Sequence, residues 1–139
     1  MAEPSHADSS ESRQGRVLLT LGPPPSVNRI WQRGRGGGVF RSRAYSTWLR
    51  ASHLLCGQAG AILGSVVIRI SIHGGKGWRQ GRDIDNAAKP IIDFLVHSGV
   101  IMDDNYEVVR RVSISYYSPA SAKDKAYVRV SVRRCASEP

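Results

Sequence analysis

Residues 83–109 read DIDNAAKPIIDFLVHSGVIMDDNYEVV. Ile91, Ile92, Leu95 and Val96 recur at helical spacing, which predicts a helix over roughly Asn86–His97 with one apolar face. Gly99 suits the position just past its end. Pro90 must fall near the first turn, because a proline deeper in would break the hydrogen-bond ladder. A short apolar run follows, then a pair of acids, then a strand over Val108–Tyr116. Upstream, Val66–Ile72 (VVIRISI) is rich in β-branched residues and reads as a strand. The centre of the chain is therefore strand, helix, strand.

The same stretch carries the candidate chemistry. If residues 83–85 are extended, Asp83 and Asp85 project to one side. Two carboxylates placed so can share a Mg2+ ion, which takes few protein ligands and keeps the rest for water or phosphate oxygen. Asp85 or Asn86 would then cap the helix, whose N-terminus also favours a phosphate. Lys89 stands four residues after Asp85, one turn along the same face, and Asp93 one turn further can hold it. Met102-Asp103-Asp104-Asn105 could supply another carboxylate. Each feature also has a plain structural reading. Asp-x-Asp before a helix makes caps and turns, Asp-Asp-Asn makes turns, and a lysine four residues on makes a surface ion pair worth about 0.3–0.5 kcal/mol.

Working outward, Val17–Leu21 reads as a first strand, closed by Gly22-Pro23-Pro24-Pro25. Residues 32–38 (QRGRGGG) read as a flexible basic loop, with Val39-Phe40 as a small strand after it. Ser42 can cap a helix in which Tyr45, Trp48, Leu49, Leu55, Ala59, Ile62 and Leu63 recur at helical spacing. Residues 73–82 (HGGKGWRQGR) form a second basic loop. A last strand over Ala126–Val132 alternates cleanly, and Ser118–Lys125 reads most simply as the turn of a hairpin joining it to the preceding strand. The order β–(β)–α–β–α–β–β predicts an α/β (α+β) single small domain with two main helices on a mixed sheet. Its bounds fall at 15–135, between a polar tail over 1–14 expected to be disordered and a short C-terminal tail over 136–139.

The chain has 139 residues, within the range of about 100–200 expected of one domain. No apolar run is long enough to span a membrane, and the N-terminus lacks the basic-then-apolar pattern of a secretory signal. Two cysteines, Cys56 and Cys135, and four dispersed histidines support neither a disulfide scaffold nor a zinc site. A cytoplasmic protein with free thiols is the expectation. The formal net charge is +9, which favours a polyanionic partner. Its distribution says more: from Ser12 to Arg82 there is no Asp or Glu, while arginines are dense. Such a surface suits phosphate neutralisation. The acids that return at Asp83, Asp85, Asp93, Asp103 and Asp104 repel one another unless a cation sits among them. Sixteen arginines against four lysines hint at a G+C-rich genome, as in a bacterium or its phage.

With these residues in view, the 83–109 block resembles the signature of the RusA-type Holliday-junction resolvases. That signature has Asp-x-Asp-Asn, a Lys three residues on, an Asp four residues later, then Asp-Asp after a short loop. Gly22-Pro23-Pro24-Pro25-Ser26-Val27-Asn28-Arg29 resembles the family's proline-rich turn, and Ser42–Trp48 the start of its first helix. The likeness runs over about residues 17–132. It implies a small endodeoxyribonuclease dependent on Mg2+ (or Mn2+) that acts on four-way junction DNA as a homodimer in recombination and repair. The metal-binding acids map to Asp83, Asp85 and Asp104, with adjacent Asp103 as the competing choice, and the essential lysine to Lys89. Asn28, Asn86 and Asp93 are supporting positions. Arg29, Arg33, Arg35, Arg41, Lys76, Arg79 and Arg82 are the candidate DNA contacts, with Trp31 and Trp78 as candidates for stacking on bases and Trp48 as core. The alternative reading is a branched-DNA-binding protein of the same fold that does not cleave or prefers another substrate. Gly74-Gly75-Lys76-Gly77 is not a phosphate loop, since it lacks the earlier glycine and the Ser/Thr after the lysine. Cys56 reads as a small buried apolar residue.

Overall fold

The computed structural model describes residues 15–57 and 59–136; the tail expected over 1–14 and residues 137–139 lie outside them. Eight elements follow in order: β1 (Arg16–Leu21), β2 (Trp31–Arg33), β3 (Val39–Arg41), α1 (Arg43–Cys56), β4 (Val66–His73), α2 (Ala88–His97), β5 (Val109–Tyr117) and β6 (Tyr127–Arg134). Short 3-10 turns occupy Val27–Arg29 and Ile84–Ala87. β1, β6, β4 and β5 form one mixed sheet in that order, and β2 and β3 form a separate antiparallel ribbon. This is the α+β architecture expected from the sequence.

Strand alternation puts Val17, Leu19 and Leu21 of β1, Val66, Ile68, Ile70 and Ile72 of β4, and Val128, Val130 and Val132 of β6 on one face, all buried. Both helices cover that face. Tyr45, Trp48 and Leu49 of α1 join Ile91, Phe94 and Leu95 of α2 in a single core cluster. Trp48 meets Phe94 edge-on with ring centroids 5.9 Å apart, a favoured aromatic geometry. The core role expected for Trp48 holds, and its indole Nε1 donates to the Gly22 carbonyl at 3.0 Å. That bond ties the proline-rich turn to the helical layer.

Several local expectations need correction. β5 and β6 are not a hairpin. β5 lies parallel to β4, while β6 runs antiparallel between β4 and β1. A parallel pair needs a long crossover, and the segment carrying α2 supplies it between β4 and β5. β6 then fills the slot in which each of its edges finds a partner. Helix α1 does start at Ser42, whose side chain accepts from Tyr45 N at 3.1 Å, but it ends at Cys56. Gly57 adopts φ +54°, so Ala59, Ile62 and Leu63 are beyond the helix, and Leu55 is exposed. Residues 32–38 are not wholly loop, because Gln32 and Arg33 pair with Phe40 and Val39. Cys56 is half-buried rather than buried, and that burial pushes its thiol pKa up.

Candidate active site

The acidic segment departs from the extended geometry that its sequence suggested. Asp83 is extended (φ −69°, ψ 138°), but Ile84–Ala87 coil into a 3-10 turn closed by Asn86 N donating to the Asp83 carbonyl at 3.3 Å. Asp85 therefore sits inside a helical turn. Neither Asp85 nor Asn86 caps α2, which begins one turn later with Ala87 at its N-cap and no side-chain cap bond. The cause is packing: Ala87 is fully buried and Pro90 and Ile91 are buried in the next turn, so the chain must turn toward the core immediately after Asp83. The carboxylates of Asp83 and Asp85 are left exposed, with no hydrogen bond or ion pair among the described residues.

Lys89 is the electrostatic hub. Its Nζ donates to Asp93 Oδ1 at 2.9 Å and to Asp104 Oδ2 at 3.4 Å. The first bond is the one-turn pairing on α2; the second crosses from α2 to the loop before β5. Gly99, at φ +80°, turns the chain back after α2. Val100 N and Ile101 N both donate to the Leu95 carbonyl, and the buried Val100 and Ile101 then pin the loop that presents Asp104. The hydrogen bond to Asp93, reinforced by Asp104, raises the Lys89 pKa against a smaller opposing effect of burial. Hydrogen bonding with Asp103 and then with Lys89 holds the Asp104 carboxyl below its ordinary range.

Asp103 has a different occupation. Its Oδ1 accepts from Asp104 N at 2.7 Å and its Oδ2 from Asn105 Nδ2 at 2.9 Å, while Asn105 Oδ1 accepts from Glu107 N at 2.9 Å. Asp103 and Asn105 thus build the turn, and Asp104 is the acid that faces Lys89.

A separate pocket of about 360 Å³ has a lining that includes Pro24, Asn28, Arg29, Arg79, Arg82 and Asn86 but neither Lys89 nor any of the acids. Arg82 is its most constrained member. Its Nη1 donates to the Pro24 carbonyl at 2.7 Å, and its guanidinium carbon lies 4.2 Å from the centroid of the Trp78 ring. Its Nε and Nη2 are buried and have no hydrogen-bond partner. Burial, with Arg79 nearby, lowers the Arg82 pKa. Buried donors without acceptors are costly.

The loop that carries Arg82 is clamped at its start. Lys76 N donates to the Asp124 carbonyl and Ala126 N to the Lys76 carbonyl, both at 2.8 Å. Gly75 is required there: its φ is +145°, and a Cβ would stand 2.4 Å from the Asp124 carbonyl oxygen.

The structure thus brings together Lys89, Asp93 and Asp104, and separately Asn28, Arg29, Arg79, Arg82 and Asn86. It does not bring Arg33, Arg35 and Arg41 into that pocket; they stand exposed on the β2–β3 ribbon and the turn joining its strands. Trp31 is 54% exposed and free to stack. Trp78 is half-buried beneath Arg82 and packs on the core, which corrects its expected role as an open stacking surface. Two features escaped the sequence reading: the Pro24 carbonyl as an anchor for Arg82, and Tyr45 as a buried phenol whose pKa is raised by burial and then by Asp93. A backbone carbonyl leaves no trace in side-chain pattern, and Tyr45 reads simply as core.

Carboxylate oxygens are the right kind of donor for a hard divalent cation, so the residue types fit one. They are not gathered: among the described residues no three His, Cys, Asp or Glu side chains stand together as a metal-holding group. No helix among the described residues is long and apolar enough to cross a membrane. Residues 21–133 match the family model described as Endodeoxyribonuclease RusA. No curated protein matches the chain.

Proposed function

The chain belongs to the RusA endodeoxyribonuclease family, and from that premise we propose that it resolves four-way DNA junctions by paired, symmetric, metal-dependent hydrolysis of phosphodiesters, in recombination and repair. The observation that carries this reading is the pocket lined by Arg29, Arg79 and Arg82 together with the exposed, unpaired carboxylates that follow Arg82 at Asp83 and Asp85. A phosphodiester entering the pocket would be held by the charge of Arg29, Arg79 and Arg82 that line it. It would also bring phosphate oxygens to the acids, completing an oxygen-ligand set that the protein alone leaves short.

In this reading Asp83, Asp85 and Asp104 hold a divalent cation, Mg2+ or Mn2+. When bound, the ion supplies Lewis acidity and lowers the pKa of water. Lys89 places a positive charge beside the reacting phosphate, where it can offset charge that develops in the transition state. Asp93 fixes the Lys89 ammonium, and Asn28 and Asn86 line the wall of the phosphate pocket. Arg29 and Arg79 add charge to that pocket, while Arg33, Arg35, Arg41 and Lys76 would contact the flanking backbone. A homodimer suits a junction of approximate two-fold symmetry, with one site on each of two strands.

The test is cleavage of a labelled synthetic four-way junction with and without Mg2+, beside a linear duplex of the same sequence. Paired nicks on the junction alone, and only with metal, are expected. Sedimentation of the free protein checks the dimer. The competing reading, a branched-DNA binder that does not cut, draws on the acids not being gathered. Tight junction binding without cutting in Mg2+ or Mn2+ would establish that reading in place of the first.

A further inference from the structure

The sheet has a second face that neither helix covers. The registers of β1, β6, β4 and β5 arrange it in cross-strand rows. The first row is Arg16, Arg133, Val67 and Arg111. The second is Leu18, Ser131, Arg69 and Ser113, and the third is Thr20, Arg129, Ser71 and Ser115. The fourth row is aromatic: Tyr127, His73 and Tyr117, with His73 stacked on Tyr127 at 4.4 Å and on Tyr117 at 5.1 Å.

Five arginines on this face are exposed: Arg16, Arg69, Arg111, Arg129 and Arg133. The four strands contain no Asp or Glu. Arg16 and Arg133 are direct cross-strand partners, an arrangement that destabilises a sheet. A pocket of about 290 Å³ opens among Arg16, Arg69, Arg111 and Arg133, floored by Val67, Ser113 and Ser131. Serines there leave room and hydroxyl donors between the guanidinium groups. A solvated sheet face normally mixes charges of both signs; this one concentrates a single sign in a concavity, and no acid among the described residues lines it.

We propose that this open face is a second DNA-contact surface, which holds the sugar-phosphate backbone of a duplex arm on the side of the sheet away from Lys89. Charge complementarity selects a polyanion, and phosphate oxygens match both the guanidinium and the serine hydroxyl donors. That the polyanion is DNA rests on the function proposed above. The contact would be independent of sequence and would set affinity rather than chemistry. It would let one subunit hold an arm while the acid cluster engages the strand to be cut.

The experiment is a salt titration of binding to a labelled four-way junction, in EDTA so that nothing is cut, for the wild-type protein and the triple variant Arg69→Ala/Arg111→Ala/Arg133→Ala. Loss of three phosphate contacts should reduce the slope of log K against log salt by about 2.7 and weaken binding roughly tenfold to several-hundredfold at 0.1 M salt. The single-turnover cleavage rate at saturating protein should stay within about twofold. The matching Arg→Lys triple variant should keep the slope, because point charges suffice for backbone neutralisation. Circular dichroism and thermal melting confirm the fold of both variants. A wild-type slope and affinity in the alanine variant would overturn the proposal. So would conversion of a dimer to a monomer by the alanine variant, which would make the face a subunit interface. Failure of the wild-type protein to cut any junction would sink the nuclease reading alone, because the salt slope still reports on the face.

Discussion

Helix α2 has two faces that do different work with the same ten residues. On one, Ile91, Phe94 and Leu95 are fully buried; on the other, Lys89 and Asp93 stand half in solvent beside Asp104. The buried face sets where the helix lies on the sheet, and so where the exposed face presents its charge. The contrast teaches that stability and chemistry are separable here: substitutions on the inner face should change how much protein is folded, and substitutions around the outer face should change what the folded protein does.

The largest expected effect belongs to the acid turn that leads into the helix. Asp85→Asn should abolish cleavage, by at least a thousandfold in single-turnover rate, equivalent to about 4 kcal/mol, while junction binding persists. Neutralising a metal ligand removes the ion more than the phosphate grip. Because Asp85 is exposed, its thermal stability should change by no more than about 0.5 kcal/mol. A variant that still cuts at the wild-type rate would remove Asp85 from the site. The inner face gives the counterpart. Phe94 is fully buried and packs edge-on against Trp48 and His53, so Phe94→Ala should cost about 3–5 kcal/mol of stability, a large part of the 5–15 kcal/mol typical of a domain. Denaturant unfolding measures that loss. Cleavage per folded molecule should hold near wild type, and a matching collapse of the per-molecule rate would break the separation between the faces.

Lys89→Met returns to the outer face with a smaller effect. Removing a charge beside the reacting phosphate should lower the single-turnover rate about a hundredfold. The salt slope of binding should fall by no more than about one, so the rate loss should far exceed the binding loss. Equal losses in both would make Lys89 a phosphate anchor rather than a group acting on the transition state.

How much of this was legible follows the same division. Buried periodicity was readable: β1, β4, α2 and β6 fall close to the positions their apolar spacing predicted, because alternation and helical spacing record which side chains face a core. Pairing order was not. Nothing in Ser118–Lys125 says that β6 must travel past β5 to reach β4 and β1; that is fixed by which edges remain unpaired once the crossover through α2 has made β4 and β5 parallel. Around the site, the one-turn spacing of Lys89 and Asp93 is local and was visible, whereas the bond from Arg82 to the Pro24 carbonyl joins loops far apart in sequence through a backbone atom. The 3-10 turn at Ile84–Ala87 was hidden for a related reason. Asp-Ile-Asp looks extended by itself, and only the burial of Ala87 and Ile91 forces the turn.

The smallest expected effect tests whether the outer face contributes to folding at all. Asp93→Asn removes the stronger partner of Lys89, an exposed pair one turn apart on a helix, and should cost about 0.3–0.5 kcal/mol. The pH dependence follows from the shifts. Because Lys89 is raised above its ordinary value, chiefly by Asp93, its contribution is fully present below about pH 10 and is lost as pH rises through the folded-state value. Because Asp104 is held below its ordinary value, its contribution is present above about pH 4 and is lost as pH falls through the folded-state value. The stability difference between wild type and Asp93→Asn should therefore be flat across neutral pH and shrink in the strongly alkaline range. Urea unfolding at pH 7 and pH 11 measures it. A difference of several kcal/mol at neutral pH would mean that Asp93 anchors the helix itself, and the two faces of α2 would no longer be separable.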